Sequence, residues 1–358
     1  MGKPRLLIVD DSVVVRRGLA AALASEPGLI VAGAASSGRT ALMKIPLLQP
    51  DVVALDIAMA DPDGLSALAE IRQAHPHLPV IVMNLPTDHG ASATVEALSL
   101  GAKDYVTKPE GLQRSGTAIQ ILADELASKI SSACDGDADG AAGAVGGTRA
   151  NTRFPLQRVD VVVIGVSTGG PSALTDLLPI FPSDFPVPIL VVQHMPSTFT
   201  RLLAERLDAR CQIRVQEGRD GEIVRPGRAW IAPGDFHMAV ERDADTVRLR
   251  LQQDAAENSC RPAADVLFRS AADVYGAHVL AVVMTGMGRD GLSGCQYVYR
   301  QGGRILVQDE ASSVVWGMPR AVMQAGIADR AVPLDALAGE IAYRVVLSRE
   351  PAMEMAVD

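Results

Sequence analysis

The sequence predicts two α/β domains, each built on a doubly wound, mostly parallel sheet, with an antiparallel excursion in the second and a flexible segment between them. Three observations support this. Short runs of Val, Ile and Leu alternate with amphipathic helical patterns along most of the chain, the rhythm of βα units. Runs such as Val161–Ile164 are apolar throughout rather than alternating, the composition of strands covered on both faces. From residue 131 to about 155 the composition shifts to Gly, Ala, Ser and Asp around Gly146-Gly147, too poor in apolar surface to order itself.

The first domain is predicted over residues 1–124, with strands at Leu6–Val9, Ile30–Ala34, Val52–Leu55, Val80–Met83 and Asp104–Val106. Ser12 suits the N-cap of a helix carrying Val13, Val14, Leu19 and Leu23, because its hydroxyl can accept from an unpaired amide of the first turn. A helix through Ile119–Ile130 closes the domain, and residues 125–158 comprise the end of that helix and the linker. In a doubly wound sheet the ligand crevice lies beyond the carboxyl ends of the strands. Asp10 and Asp11, Asp56, Asn84, and Lys108-Pro109 follow four of the five predicted strands, so they can form one site. Converging carboxylates repel unless a hard cation such as Mg2+ joins them, and oxygen ligands suit that ion.

Bulk properties narrow the function classes. A formal net charge of -9 argues against a large nucleic-acid footprint, which needs a basic face. Cys134, Cys211, Cys260 and Cys295 are scattered, without C-x-x-C or histidines at ligand spacing, so neither a disulfide framework nor a zinc site is expected. No apolar stretch approaches the ~20 residues of a membrane helix, and the short apolar run near the N-terminus ends in two aspartates. The expectation is a cytoplasmic protein with no membrane insertion and no nucleic-acid partner.

The second domain, residues 159–347 with a tail at 348–358, opens on Asp160-Val-Val-Val-Ile-Gly165-Val-Ser167-Thr-Gly169-Gly170-Pro171. This reads as a buried strand, a glycine-lined turn and a helix with Pro at its first position. Such a turn can cradle a phosphate or simply connect two elements. It also satisfies the G-x-S-x-G pattern of a nucleophile elbow, which requires partners elsewhere. Two occur at predicted strand ends: His194 after Pro188–Gln193, and Asp290 after Val279–Met284. A hydroxyl, an imidazole and a carboxylate converging at strand ends is the set that nucleophilic acyl transfer needs. Arg228–Leu251 shows shorter alternating runs and is predicted as the antiparallel excursion; Ala264, Leu267, Phe268 and Ala271 line one helix face; Arg304–Gln308 is a further strand.

Two resemblances follow from these residues. Residues 1–124 resemble the receiver domain of response regulators, a flavodoxin-like five-stranded fold, through Asp10, Asp11, Leu55-Asp56-Ile57, Asp63-Gly64-Leu65, Tyr105 and Thr107-Lys108-Pro109. The resemblance implies that Asp56 accepts a phosphoryl group, that Asp10, Asp11 and Asp56 hold Mg2+, and that Lys108 and Asn84 contact the phosphoryl oxygens. Asn84 stands where a Ser or Thr is usual, and Met59-Ala60 where Met-Pro is usual, which implies weaker coupling to Tyr105. Residues 159–347 are similar to the catalytic domain of protein-glutamate methylesterases, and the whole chain to the chemotaxis response-regulator (CheB) family. The matching motifs are Gly165–Gly170, Gln193–Pro196, Ala232–Met238, Ser259–Pro262 and Met284–Gly291.

The family likeness implies hydrolysis of glutamate γ-methyl esters on methylated chemoreceptor cytoplasmic domains, with glutamine deamidation through the same chemistry, and a histidine kinase of the chemotaxis array as phosphodonor. Ser167 is the implied nucleophile, His194 the base and Asp290 its orienting carboxylate. Backbone amides of Thr168, Gly169, Gly170 and Met287 are the expected oxyanion donors, and no cofactor is expected in this domain. A free-standing serine esterase and a non-catalytic, phosphorylation-controlled binding module are the alternatives from other classes.

Overall fold

The computed structural model describes residues 3–59, 64–85, 87–109, 112, 116–134 and 157–349. Two compact units divide the chain near residue 142. Asp63 and Ala60, most of the expected linker (135–156) and most of the expected tail (350–358) lie outside the described residues.

The first unit runs β1 (Arg5–Val9), α1 (Val13–Leu23), β2 (Ile30–Ala35), α2 (Gly38–Leu48), β3 (Val52–Asp56), α3 (Gly64–Ala74), β4 (Val80–Asn84), α4 (Asp88–Ser99), β5 (Asp104–Thr107) and α5 (Gly116–Cys134). All the pairings are parallel, in the order β2-β1-β3-β4-β5. The order reverses between β1 and β3, which opens the crevice beyond their carboxyl ends, where Asp10 and Asp56 stand. Ser12 caps α1 as predicted, accepting from the Val15 amide at 3.4 Å. The central strands β3 and β4 are buried at every position, which accounts for their continuous apolar runs.

The second unit runs β6 (Val161–Val166), α6 (Gly170–Leu177), β7 (Ile189–Gln193), α7 (Ser197–Asp208), β8 (Arg214–Glu217), β9 (Arg228–Ile231), β10 (His237–Asp243), β11 (Thr246–Gln252), α8 (Ala264–Tyr275), β12 (Val279–Val283), α9 (Leu292–Arg300), β13 (Arg304–Gln308), α10 (Gly317–Gln324), β14 (Arg330–Val332) and α11 (Leu334–Leu347). Seven strands form one parallel sheet in the order β14-β13-β12-β6-β7-β9-β8. The chain winds from β6 outward through β7, then returns to build β12, β13 and β14 on the other side. The switch point therefore lies between β6 and β12, next to Ser167.

The antiparallel excursion is narrower than predicted. Among the described strands only β10 and β11 pair that way, as a separate hairpin. Arg228–Ile231 belongs instead to the main sheet, parallel to β7 and β8, because Ala229, Trp230 and Ile231 are buried on both faces. The predicted face of α8 holds: Ala264, Leu267, Phe268 and Ala271 are fully buried.

That helix packs hard against β6 at Gly165, where a Cβ would meet the Ala264 Cβ at 2.7 Å and Phe268 Cζ at 3.2 Å. Core overpacking of this kind costs about 1–3 kcal/mol. Gly165→Ala is expected to lower the urea midpoint accordingly, whereas an unchanged midpoint would show that β6 and α8 can separate without cost. Among the described residues no helix is long and apolar enough to cross a membrane.

Candidate active site

Ser167 is the first residue past β6. The register places it beside His194, since Val166 pairs with Gln193 and each site residue follows its strand directly. The ladder continues into the site: His194 donates its amide to the Val166 carbonyl at 3.3 Å, and Ser167 donates to the Thr285 carbonyl at 3.0 Å. The turn then closes on itself. Gly169 adopts φ 78° as N-cap of α6, a left-handed conformation suited to glycine, and Val314 packs where its side chain would stand. Gly286, from the loop after β12, abuts Ser167 so closely that a Cβ there would lie 2.8 Å from the serine Cβ.

Asp290 is buried at the N-terminus of α8 and accepts five hydrogen bonds. Its Oδ2 takes the Ala264 amide at 2.6 Å and His194 Nε2 at 2.7 Å. Its Oδ1 takes the amides of Asp265 at 3.1 Å and Gly291 at 2.9 Å, and the Asn258 side chain at 3.1 Å. Burial opposes ionisation, but the His194 hydrogen bond and charge together with the helix amides outweigh it and hold this carboxyl below its ordinary range. His194, with the amides at the start of α8, thus keeps Asp290 charged.

The same pair sets His194. Burial favours its neutral form, yet the hydrogen bonds of Asp290 and Cys260, with the Asp290 charge, prevail and raise the imidazole to about 9. This ion pair contributes stability that is complete below the unfolded value of 6.5 and is lost as pH rises through about 9. With Nε2 committed to Asp290, the neutral ring carries its proton there and its lone pair on Nδ1. Cys260 Sγ lies 3.6 Å from Nδ1, and no hydrogen bond joins the ring to Ser167 among the described residues. His194 and Asp290 are thus in contact, while Ser167 stands at the neighbouring strand end.

Of the expected oxyanion donors, Gly170 is already committed, because the turn geometry directs its amide to the Ser167 carbonyl at 2.8 Å. Thr168 and Gly169 occupy the turn at the start of α6, and Met287 follows the glycine that walls the serine. Sequence reasoning did not assign Gln193, which is buried and donates to the carbonyls of Ser167 at 3.1 Å and His194 at 3.3 Å. It ties the two strand ends together. It lies within a motif singled out from the sequence, but nothing in that motif distinguishes it from a strand residue.

In the first unit, Lys108 Nζ bridges Asp56 Oδ2 at 2.6 Å and Asp10 Oδ2 at 2.7 Å, all three groups being buried. Burial raises the Asp10 carboxyl against the pull of Lys108. Carboxylate oxygens of Asp10, Asp11 and Asp56 lie within 4.8 Å of one another, a set of hard donors that suits Mg2+. Asn84, by contrast, does not join this group: its side-chain amide donates to Thr94 of α4, and its carbonyl oxygen is buried without a partner.

Comparison with known proteins adds the following. The family model of the CheB methylesterases matches residues 162–341, and that of response regulator receiver domains matches residues 6–120. A protein of Trichodesmium erythraeum named protein-glutamate methylesterase/protein-glutamine glutaminase is 47% identical over 351 residues, spanning 96% of this chain and 100% of its own. One of the same name from a Nocardioides species is 43% identical, with 96% of each chain covered. The crystal structure of the Thermotoga maritima CheB methylesterase catalytic domain matches at TM-score 0.51 and 42% identity, covering 51% of this chain and 97% of that one. This chain, a receiver domain followed by a parallel sheet with Ser167, His194 and Asp290 at its switch point, belongs to the CheB methylesterase family.

Proposed function

We propose that this chain hydrolyses glutamate γ-methyl esters on the cytoplasmic helices of methylated chemoreceptors, releasing methanol, under control of phosphorylation at Asp56. The observation that best supports the chemistry is the His194–Asp290 pair, held by a helix N-terminus beside Ser167 at the topological switch point. Ser167 Oγ attacks the ester carbonyl and His194 Nδ1 takes its proton. The tetrahedral oxyanion is met by the amides of Thr168, Gly169 and Met287, each donor being worth ~3 kcal/mol in such sites. Collapse expels methoxide, which leaves as methanol with the proton from His194. Water, activated by the same Nδ1, then cleaves the acyl-serine and frees the glutamate carboxylate. A glutamine amide passes through the same acyl intermediate with ammonia leaving, which makes deamidation a second reaction of this site.

In the receiver, Asp56 is the phosphoacceptor. Asp10, Asp11 and Asp56 would hold Mg2+, which when bound supplies charge neutralisation among the carboxylates and phosphoryl oxygens. Lys108, already on Asp56 Oδ2, exchanges that oxygen for one on the phosphoryl group. A histidine kinase that serves the same receptors is the phosphodonor. With Asn84 turned toward Thr94, its contact to the phosphoryl group requires a side-chain rotation.

Methanol release from methylated receptor membranes tests this reading. Acetyl phosphate with Mg2+ is expected to raise the wild-type rate several-fold and to leave Asp56→Ala at its basal rate. Equal stimulation of both would place control elsewhere, and no release from the wild type would overturn the activity itself.

A further inference from the structure

The turn from Glu257 to Arg261 meets both charged members of the proposed site. Glu257 and Cys260 exchange backbone hydrogen bonds of 3.1 and 2.8 Å, closing a tight loop in which Asn258 and Ser259 have φ of 51° and 62°. Two successive non-glycine residues in the left-handed region cost on the order of 1–3 kcal/mol each, a cost met only where the surroundings impose that shape. Ion pairs pin the loop on both flanks: Arg269 to Glu257 at 2.5 Å, and Arg261 to Asp235 at 2.6 Å. The shape has two results. Asn258 reaches Asp290 and Asp265 with one amide group, at 3.1 and 2.9 Å, and Cys260 Sγ arrives 3.6 Å from His194 Nδ1.

Nδ1 is the nitrogen that Ser167 requires, because Nε2 is held by Asp290. In the resting site a sulfur occupies it. We infer that Cys260 is a positioning residue of the reaction, holding the His194 ring through Nδ1 in the resting site and yielding that nitrogen to Ser167 when an ester binds. The inference rests on His194 being the base of the proposed reaction. Sulfur is a weak acceptor, and a charged ring donates its Nδ1–H to it. The contact therefore favours the protonated ring in the resting site without binding it so firmly that Ser167 could not displace it; the Nδ1 proton leaves to solvent before that nitrogen accepts one from Ser167. Among the described residues the titratable groups hydrogen-bonded to the ring are Asp290 at Nε2 and Cys260 at Nδ1; Asp265 stands one step further, joined through Asn258. Of these, Cys260 alone faces the proton-accepting side, so its removal lowers the basicity of the ring while leaving Asp290 in place.

The test compares the full-length wild type with Cys260→Ala and Cys260→Ser. The first readout is the pH dependence of kcat/KM for methanol release. The second is the 15N NMR titration of the His194 ring in a Ser167→Ala background, with and without Cys260→Ala. Loss of the thiol is expected to lower the ring's apparent pKa by about one unit in both readouts. KM should stay within about twofold, and Cys260→Ser, whose hydroxyl can still accept from Nδ1, should restore much of the shift. A purely structural role would move none of these pKa values. Identical titrations of His194 with and without Cys260→Ala would overturn the inference. Because NMR does not need turnover, it decides the Cys260 contact even if the wild type releases no methanol, an outcome that would count against the esterase reading alone.

Discussion

Ser167→Ala is expected to lower kcat for receptor-ester hydrolysis by at least about 10⁴-fold, with folding and receptor affinity unchanged. The size follows from what the serine does. Without a nucleophile only binding and the oxyanion donors remain, and in serine hydrolases that residue of catalysis lies several orders of magnitude below the intact enzyme. The change should be structurally silent. Ser167 is held through its backbone, by its amide on the Thr285 carbonyl and by its carbonyl receiving Gln193 and Gly170, and alanine preserves all three bonds. Single-turnover kinetics on methylated receptor, with receptor binding measured in parallel, separate the two effects. A kcat within tenfold of wild type would remove Ser167 from the mechanism.

Asp290→Asn is expected to lower kcat by about 10⁴-fold and, unlike the serine change, to destabilise the second unit as well. Every hydrogen bond to Asp290 comes from a donor: three backbone amides, the Asn258 amide and His194. An asparagine amide must turn its NH2 toward one group of these donors. Turned toward His194, it donates to Nε2 and drives the ring proton onto Nδ1, the wrong tautomer for accepting a proton from serine. Turned the other way, it meets the amides of Asp265 and Gly291 at the start of α8 and α9. Each donor so orphaned costs about 1–3 kcal/mol, which urea unfolding would register. Because Asp290 is held below its ordinary pKa, its stabilising contribution is complete above the normal carboxylate range and fades as pH falls through its lowered value. The variant should therefore lose most of its deficit relative to wild type in strong acid. Wild-type stability at neutral pH would contradict this assignment of five donors.

The parts of the molecule legible in its sequence are those where burial and chemistry coincide. Val161–Val166 reads as a covered strand because every position is buried; Ser167 and His194 stand directly after such runs, and Asp290 in the loop that follows a third. What stayed hidden depends on pairing and direction. β8 and β14 are short and lie at the sheet edges, where Arg214, Gln216, Glu217 and Arg330 blur the apolar signal. β9 reads from sequence as part of the hairpin that follows it, because a buried four-residue run carries no mark of its partner's direction. Gly170 has the sequence position of an oxyanion donor, but the turn directs its amide to the Ser167 carbonyl. Asn84 sits at the right strand end, but its side chain turns toward α4, which strand position alone does not specify. The reach of Asn258 and Cys260 into the site comes from two left-handed residues in succession, a conformation that neither Asn nor Ser announces by its identity alone.

The most direct measurement is the position of the covalent intermediate. Wild-type protein turning over a methylated receptor-helix peptide is quenched in acid, digested, and mapped by mass. An acyl adduct, one methanol lighter than the substrate added, is expected on the peptide containing Ser167; it should be labile to hydroxylamine and absent from Ser167→Ala. An adduct on Cys260, whose sulfur lies 3.6 Å from His194 Nδ1, or wild-type turnover by Ser167→Ala, would contradict it.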